Sequence, residues 1–355
     1  MKISFYKYKK ILITGGAGFI GSNLIIKLLK ETCLEIYNID KLGNASNHFG
    51  IENCLSSLGP SASKRYQLIK ADLANQPKIN EAIVKINPDL VLHLAAESHV
   101  DKSIKDPEIF LRSNIEGTFN LLNCCLDHYI QLSKDRKKEF RFLHVSTDEV
   151  FGSLSDKGSF SESSKYDPRS PYSATKAASD HLVKAWFHTY NLPVIISNCG
   201  NNFGPWQFEE KLIPKIIKKA ISNEVIPIYG DGLNIRDWIY VDDHINALLL
   251  ILLNGEAGQS YCIGSNNEKT NLEICHEICS YLDTVLPKRY SYKKQINFVE
   301  DRLGHDKRYS IDASKIIEEL DWKPIYKFSD GLEFTINWYL QNKEWCNRLQ
   351  IKSNT

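Results

Sequence analysis

Residues 10–22 read Lys-Ile-Leu-Ile-Thr-Gly-Gly-Ala-Gly-Phe-Ile-Gly-Ser. The aliphatic run Lys10 to Thr14 breaks at Gly15-Gly16, and the apolar positions from Phe19 to Leu29 then recur at helical spacing, which predicts a strand, a tight turn and a helix. Gly15, Gly18 and Gly21 punctuate that turn as G-x-x-G-x-x-G. In this setting backbone amides at the positive end of a helix can approach a pyrophosphate. The next apolar run, Glu35 to Ile39, ends at Asp40, which stands 19 residues after Gly21. A carboxylate at that strand end can accept from a ribose 2′-hydroxyl and would repel a 2′-phosphate, so the cofactor read from these residues is NAD rather than NADP. A glycine turn that merely packs a helix on a strand is the plainer alternative. Asp72, after the third apolar run, suits an adenine or ribose contact, and equally a helix cap.

Working outward, strands are expected over 66–69, 90–94, 141–145 and 194–197, with helical patterns near 78–86, 107–130 and 172–190 between them. Strands alternating with helices predict an α/β Rossmann fold, a doubly wound parallel sheet covered on both faces. Beyond about residue 198 the pattern loosens into loops between shorter helices (212–223, 242–253, 271–282, 314–320 and 329–341). A smaller mixed α/β C-terminal substrate lobe follows from that change. The expected division is a NAD-binding domain over 1–197 with returning segments near 236–254 and 308–313, a second domain over 198–345, and a tail over 346–355. The polar stretch from Ser153 to Ser170 reads as a surface loop and a candidate lid.

Composition sets outer bounds. The 355 residues are 43% hydrophobic, enough to bury a substantial core, and 44 Lys plus Arg against 43 Asp plus Glu leave a net charge of +1. No broad basic field exists to track a phosphate backbone, which argues against nucleic acid as a partner. A mean hydropathy of -0.31 and the lack of an apolar stretch of ~20 residues argue against a membrane-spanning helix. The apolar run after the basic first ten residues is too short for a signal peptide, so a cytoplasmic protein is expected. Nine cysteines, an odd count without framework spacing, suggest free thiols in a reducing compartment. Cys275 and Cys279 flank His276 at helical spacing within an apolar-periodic segment, where buried small side chains are a better reading than a metal site; no metal is expected.

Two further constellations carry chemistry. Tyr172 and Lys176 are four residues apart on one expected helix and share a face. A free phenol, with a pKa near ~10, is a poor base at neutral pH. A neighbouring ammonium and the positive nicotinamide ring would stabilise the phenolate, allowing Tyr172 to take an alcohol proton as hydride leaves for NAD. Y-x-x-x-K alone is often only a solvated helix face; the glycine turn upstream is what raises it. Ser146-Thr147-Asp148-Glu149 follows the expected strand 141–145, at the strand end where open parallel sheets bind ligands. Adjacent carboxylates there could form an acid and base pair, or simply solvate a loop or cap a helix.

Together with TGGAGFIGS (14–22), the runs HLAAESHVDKS (93–103), STDEVFG (146–152), PYSATK (171–176), NCGNNFGP (198–205), EKLIP (210–214), PIYGDG (227–232), IRDWIYVDDH (235–244) and DRLGHDKRY (301–309) resemble the dTDP-glucose 4,6-dehydratases. These belong to the extended short-chain dehydrogenase/reductase group, and the match runs in order from about residue 10 to residue 346. The resemblance implies that Tyr172 removes the sugar C4 hydroxyl proton as NAD takes the hydride, with Thr147 bonding the same oxygen. Glu149 then removes the C5 proton, Asp148 protonates the departing C6 hydroxyl, and the hydride returns to C6. By the same resemblance Phe19, Ile20, Asp40, Lys41, Leu42, Asp72, Leu73, Leu94, Ala95, Ala96, Ser113, Tyr172, Lys176 and Asn202 contact NAD. Ser98, Thr147, Asn201, Lys211, Leu212, Pro227, Tyr229, Arg236, Asn271, Arg302 and His305 line the nucleotide-sugar site. Arg236 and Arg302 suit a diphosphate clamp, and Tyr229 a pyrimidine stack. His93 and His99 are expected to be structural.

Leu303 departs from the proline usual in D-R-P-G-H, and Phe151 from the frequent tyrosine of T-D-E-V-Y-G. A homodimer paired through 107–130 and 172–190 is implied. Other readings stay open: a UDP-glucose or GDP-mannose 4,6-dehydratase, a nucleotide-sugar 4-epimerase, which has no need of the Asp148-Glu149 pair, and a non-catalytic NAD-binding sensor. Thymine differs from uracil by one methyl, worth only about 1–3 kcal/mol in a pocket, so the nucleotide is not decided by the residues.

Overall fold

Along each central strand alternate side chains enter opposite cores. Ile11, Ile13, Leu90, Leu92, Leu143 and Ile195 face one layer, while Leu12, Val91, Phe142, Val194 and Ile196 face the other. A strand apolar on both faces is stable only with helices on each side, which is why this sheet is parallel and doubly covered. The computed structural model describes residues 4–43, 45–343 and 345–346. Its main sheet contains β1 (Lys10–Thr14), β2 (Glu35–Asp40), β3 (Tyr66–Lys70), β4 (Leu90–His93), β5 (Arg141–Thr147) and β6 (Val194–Cys199). A seventh strand, Ser260–Ile263, adds beside β6, giving the spatial order seventh, β6, β5, β4, β1, β2, β3. All of the pairings are parallel. The order reverses between β1 and β4, and the crevice beyond their carboxyl ends is where such sheets bind ligands.

Helices Phe19–Glu31 and Val241–Asn254 cover the first face through Leu24, Leu28, Ile245, Leu248 and Leu252. Gln76–Ile86, Gly117–Gln131 and Pro171–Tyr190 cover the second through Ile83, Leu121, Leu122 and Val183. A third core, built on Phe203, Ile213, Ile217, Ile228, Trp238, Ile278 and Leu332, belongs to helices Leu212–Ile221, Asn271–Val285 and Phe328–Gln341 with small sheets around Ile226–Tyr229 and Ile235–Tyr240. The chain crosses between these cores more than once. Tyr261, Ile263, Ile316 and Trp322 lie with the Rossmann core although they come from the second half of the sequence.

Two expectations change on contact with the structure. The 107–130 helix is three pieces: Pro107–Phe110, a wide π-helical segment Leu111–Glu116, and Gly117–Gln131. Widening shifts the backbone bonds, and the Asn114 carbonyl accepts instead from the hydroxyls of Thr118 and Ser179, each at 2.6 Å. The 153–170 loop, read as a candidate lid, is fastened. Arg308 donates to the carbonyls of Gly158 at 2.9 Å and Ser155 at 3.3 Å, the Phe160 amide donates to the Ser310 carbonyl at 2.8 Å, and Phe160 is buried with Phe151 and Ile311. Of the expected tail, all but Cys346 lies outside the described residues.

Candidate active site

The glycine turn is built by exclusion. Gly15 has φ +71°, and a Cβ on it would meet Cα and N of Ala95 at 2.6 Å; a Cβ on Gly21 would meet Cα of Gly16 at 2.6 Å. Only glycine lets the β1 turn, the loop after β4 and the first helix close this tightly. Asp40, at the end of β2, accepts from the Ala17 amide at 2.9 Å and the Leu42 amide at 2.7 Å, tying the turn to the neighbouring strand. Burial raises its pKa, and those two amides oppose the rise. Lys41 reaches across to Glu97 at 2.5 Å and to the Ser113 hydroxyl at 2.8 Å, a side chain placed by the π-helical segment. A turn with no room for a side chain, a helix N-terminus beside it and a carboxylate at the second strand end fit a dinucleotide carrying a free ribose 2′-hydroxyl.

From this turn a cavity of about 350 Å³ runs along the carboxyl ends of β1, β4, β5 and β6, from Gly15, Gly18 and Asp40 at one end to Glu149 and Lys211 at the other. At the end of β5 the Thr147 hydroxyl lies 3.2 Å from Asp148 Oδ1 and accepts from the Glu149 amide at 3.3 Å, and residues 148–151 wind into a short 3-10 turn. Opposite, Ser170 caps the Pro171–Tyr190 helix by a reciprocal pair of bonds with Ser173, which sets Tyr172 in its first turn. Tyr172, Lys176 and Asp148 are all buried. The Lys176 ammonium donates to the Val145 carbonyl at 2.9 Å, so its direct contact is with β5.

The three proton-handling groups differ sharply in what surrounds them. Burial, then the Glu149 charge, pushes the Tyr172 phenol well above its ordinary value, with a bond from Thr147 pulling the other way. Burial, then Glu149, also raises Asp148 well above the carboxylate range, and its Oδ2 has no hydrogen-bond partner among the described residues. Glu149 is raised by burial but held down by Lys211, Arg236 and Arg302. Both carboxyls are thus raised, Asp148 the more strongly, and the environments of the two neighbours differ in the number of cations that oppose the rise.

Beyond the carboxylates the second lobe supplies cations. Lys211 donates to the Ser98 carbonyl at 2.9 Å. Arg236 donates to the carbonyls of Ile235 at 2.7 Å and Asp306 at 2.9 Å, with its guanidinium 4.2 Å from the Tyr309 ring centroid. Arg302 lies 3.7 Å from Asp101, and its buried Nε has no partner among the described residues. His305 bonds Asp301 at 2.7 Å.

Residues 12–335 match the family model described as GDP-mannose 4,6 dehydratase. The chain is also similar to dehydratases of dTDP-glucose. One from Salmonella typhimurium is 48% identical over 351 residues, covering 96% of this chain and 95% of the relative, and one from Escherichia coli K12 is 45% identical over 350 residues with the same coverage. The chain belongs to the dTDP-glucose 4,6-dehydratase family. A crystal structure of the Streptomyces venezuelae family member, solved with NAD and dTDP bound, superposes with a TM-score of 0.85 at 38% identity, covering 96% of this chain and 99% of that one.

Against that family pattern, the cavity gathers Thr147, Asp148, Glu149, Tyr172 and Lys176, together with Gly15, Gly18, Phe19, Ile20, Gly21, Asp40, Lys41, Asp72, Leu73, Leu94, Ala95, Ala96, Ser113 and Asn202. Leu42 is not on its wall; its amide bonds Asp40 instead. Ser98, Asn201 and Lys211 also line the cavity, whereas Leu212, Pro227, Tyr229, Arg236, Asn271, Arg302 and His305 stand outside its wall. His93 is held between the hydroxyls of Thr14 at 2.6 Å and Thr118 at 2.9 Å, and His99 caps the Val100–Lys105 helix. Cys275 and Cys279 are buried thiols, and no cluster of potential metal ligands exists among the described residues. Sequence reasoning missed His144 and Asp180 beneath Lys176, and Glu97 and Glu210 on the cavity wall. Asp180 lies four residues after Lys176 on the same helix, and that spacing was the available signal.

Proposed function

We propose that the chain is an NAD-dependent dTDP-glucose 4,6-dehydratase, a hydro-lyase that forms dTDP-4-keto-6-deoxyglucose. The observation that carries this reading is the adjacent carboxyl pair Asp148 and Glu149 on one cavity wall with the Tyr172 phenol, the Glu149 charge being faced by Lys211, Arg236 and Arg302. Epimerisation at C4 uses the phenol and a hydride acceptor; an adjacent acid and base are what elimination of water requires.

Bound NAD supplies the acceptor for the C4 hydride and gives the same hydride back at C6. Burial alone would keep the Tyr172 phenol protonated; with the nicotinamide cation and the Lys176 ammonium beside it the phenolate is stabilised, and Tyr172, bonded by Thr147, takes the C4 hydroxyl proton. The resulting ketone makes the C5 hydrogen acidic, and Glu149 removes it. Asp148 delivers its proton to the C6 hydroxyl, the C6–O bond breaks, and water leaves across C5 and C6; as hydride returns to C6 a proton from Glu149, exchanged with solvent, adds at C5. Arg236 and Arg302 hold the diphosphate, and Tyr229, half-exposed at the end of its strand, stacks on the pyrimidine. On this reading residues 1–197, with returning segments near 236–254 and 308–313, bind NAD, and 198–345 bind the nucleotide sugar.

The reading extends to a homodimer. Phe119, Trp186 and Tyr190 stack edge to face in series, with ring centroids 5.8 and 5.5 Å apart. Trp186 is buried, but Phe119 and Tyr190, with the exposed Ile109, Leu111 and Ile130, leave apolar side chains uncovered on the two helical segments. Phe119→Glu should shift the solution mass from about twice 40.6 kDa to a single chain, read by analytical ultracentrifugation; a wild-type monomer at micromolar concentration would remove the dimer. Nine unpaired cysteines support a reducing, cytoplasmic setting.

The deciding experiment incubates the protein with dTDP-glucose, and separately with UDP-glucose, in deuterated water under proton NMR. A C6 methyl signal with deuterium at C5, formed faster from dTDP-glucose, is expected. Scrambling at C4 without a methyl signal would make the protein an epimerase.

A further inference from the structure

Lys176 and its neighbours form a buried polar cluster behind the cavity wall. Lys176 is 4% exposed, His144 1% and Asp180 0%. A lysine buried so deeply stays an ammonium only where an opposite charge compensates its lost hydration. Its Nζ donates to the Val145 carbonyl at 2.9 Å and lies 3.4 Å from Nε2 of His144. Oδ1 of Asp180 stands 3.2 Å from that same imidazole nitrogen. Asp180 follows Lys176 by one helical turn, so the two side chains leave the same face of the Pro171–Tyr190 helix.

The other carboxylate oxygen is saturated with donors. Oδ2 of Asp180 accepts from Ser146 Oγ at 2.8 Å, the Tyr166 hydroxyl at 2.9 Å and Asn198 Nδ2 at 3.3 Å. A carboxylate collecting three donors in a dry site is held in its ionised form. The imidazole between the two charges is neutral, its pKa pushed by burial to about 4. Neither its Nδ1 nor Oδ1 of Asp180 has a hydrogen-bond partner among the described residues, so the 3.2 Å approach of Asp180 is an electrostatic contact. An unbonded lone pair is tolerated more readily than an orphaned N–H, which places the proton on Nε2, facing Asp180. A protonated Nε2 cannot accept from the ammonium, so Lys176 is left with one bond, to Val145, and one counter-charge.

We propose that Asp180 is a positioning residue for the Tyr172 and Lys176 pair: acting through His144, it supplies the charge that keeps Lys176 an ammonium and fixes where that ammonium points. The inference rests on the proposed roles of Tyr172 and Lys176. The remaining titratable groups around the ammonium do not supply that charge. Cys199 on β6 is a thiol raised to about 12 by burial, His93 on β4 is neutral, its pKa lowered by burial, the pKa of Asp148 is raised well above the carboxylate range, and Asp180 is the first of the groups that raise Lys176.

The test follows the ε-carbon of Lys176 by NMR in holoenzyme labelled with ¹³C-lysine, the signal assigned by its loss in Lys176→Arg. In the wild type Lys176 should remain charged at pH 8, and a neutral Lys176 there overturns the proposal. Asp180→Asn keeps the shape and removes the charge. The Lys176 titration should fall by about one pH unit or more, tenfold in the proton equilibrium. The alkaline limb of the kcat profile should move with it, while KM for the sugar changes less than about twofold. Asp180→Glu, which restores the charge, should return the limb toward the wild-type position. An Asp180→Asn protein that folds and titrates as the wild type refutes the role; where that variant does not fold, the wild-type titration and Asp180→Glu decide. If the wild type fails to dehydrate the sugar, the proposed function falls, and the Lys176 titration still tests Asp180 separately.

Discussion

Two carboxylic acids of nearly equal intrinsic acidity stand side by side at the end of β5, and only their surroundings separate them. Asp148 is buried, repelled by Glu149 and lacks a partner on Oδ2; Glu149 has Lys211, Arg236 and Arg302 to stabilise its charge. Their variants should fail differently. On the proposed roles Asp148→Asn removes the proton donor for the C6 hydroxyl and leaves the base, so deuterium from solvent should enter C5 while the C6 methyl is lost, with turnover down roughly 10²- to 10⁴-fold. Glu149→Gln removes the base, so C4 oxidation should proceed, seen as NADH absorbance on adding sugar, and C5 should not exchange. Identical behaviour of the two variants would mean that the pair does not divide the acid and base roles. The Gln variant should also lower the Tyr172 pKa, because Glu149 is the charge that most raises it.

At the scale of elements, the Val241–Asn254 helix joins the Rossmann core to the returning segment around Trp322. The Asp243 carboxylate accepts from the Ile325 amide at 2.9 Å and the Tyr326 amide at 3.0 Å, and the Asp243 carbonyl accepts from the Trp322 indole at 3.3 Å. Asp243→Ala would strand two backbone donors and should cost about 3 kcal/mol in urea unfolding; a loss below about 0.5 kcal/mol would show that the joint is not held by this carboxylate. Such joints explain what the sequence revealed and what it concealed. β1 to β6 and most of the long helices were legible because their periodicity is local, although the helix His48–Leu58 was not read. The strands Asn201–Phe203, Ser260–Ile263, Glu268–Thr270 and Ile296–Val299 were not, since each is three or four residues long and is defined by a distant partner, as Ser260–Ile263 is by β6. The π-helical segment keeps a helical pattern of apolar residues and so leaves no mark. In the site, Gly15, Asp40, Asp148 and Tyr172 could be read from local motifs. The stacking of Arg236 on Tyr309, and the service of His144 and Asp180 to Lys176, depend on packing between segments far apart in the chain.

Across the whole molecule, doubly covered layers leave titratable groups no route to water, and this ties stability to pH. His93, His144 and His244 are fully buried, and burial lowers the pKa of each, to about 4 for His144 and about 3 for His244. Each such histidine stays neutral in the folded chain while its unfolded counterpart gains a proton below about 6.5. The unfolded state then binds more protons, so stability declines as pH falls from about 6.5 to the folded pKa, by at most about 1.4 kcal/mol per pH unit per group. Buried carboxylates with raised pKa, Asp40, Asp148 and Glu149 among them, act oppositely over the same range, because the folded state takes up their protons first. The total slope therefore mixes two signs, and His244 offers a way to isolate one. Neither ring nitrogen of His244 has a partner among the described residues, and burial alone shifts it. His244→Leu should be neutral to stabilising at pH 8, where no proton is involved and two unbonded polar atoms are removed. Its advantage over the wild type should then grow steadily from pH 6.5 to pH 4 in urea titrations, with a slope approaching one proton. An advantage that stays constant over that interval would mean that His244 is protonated in the folded chain.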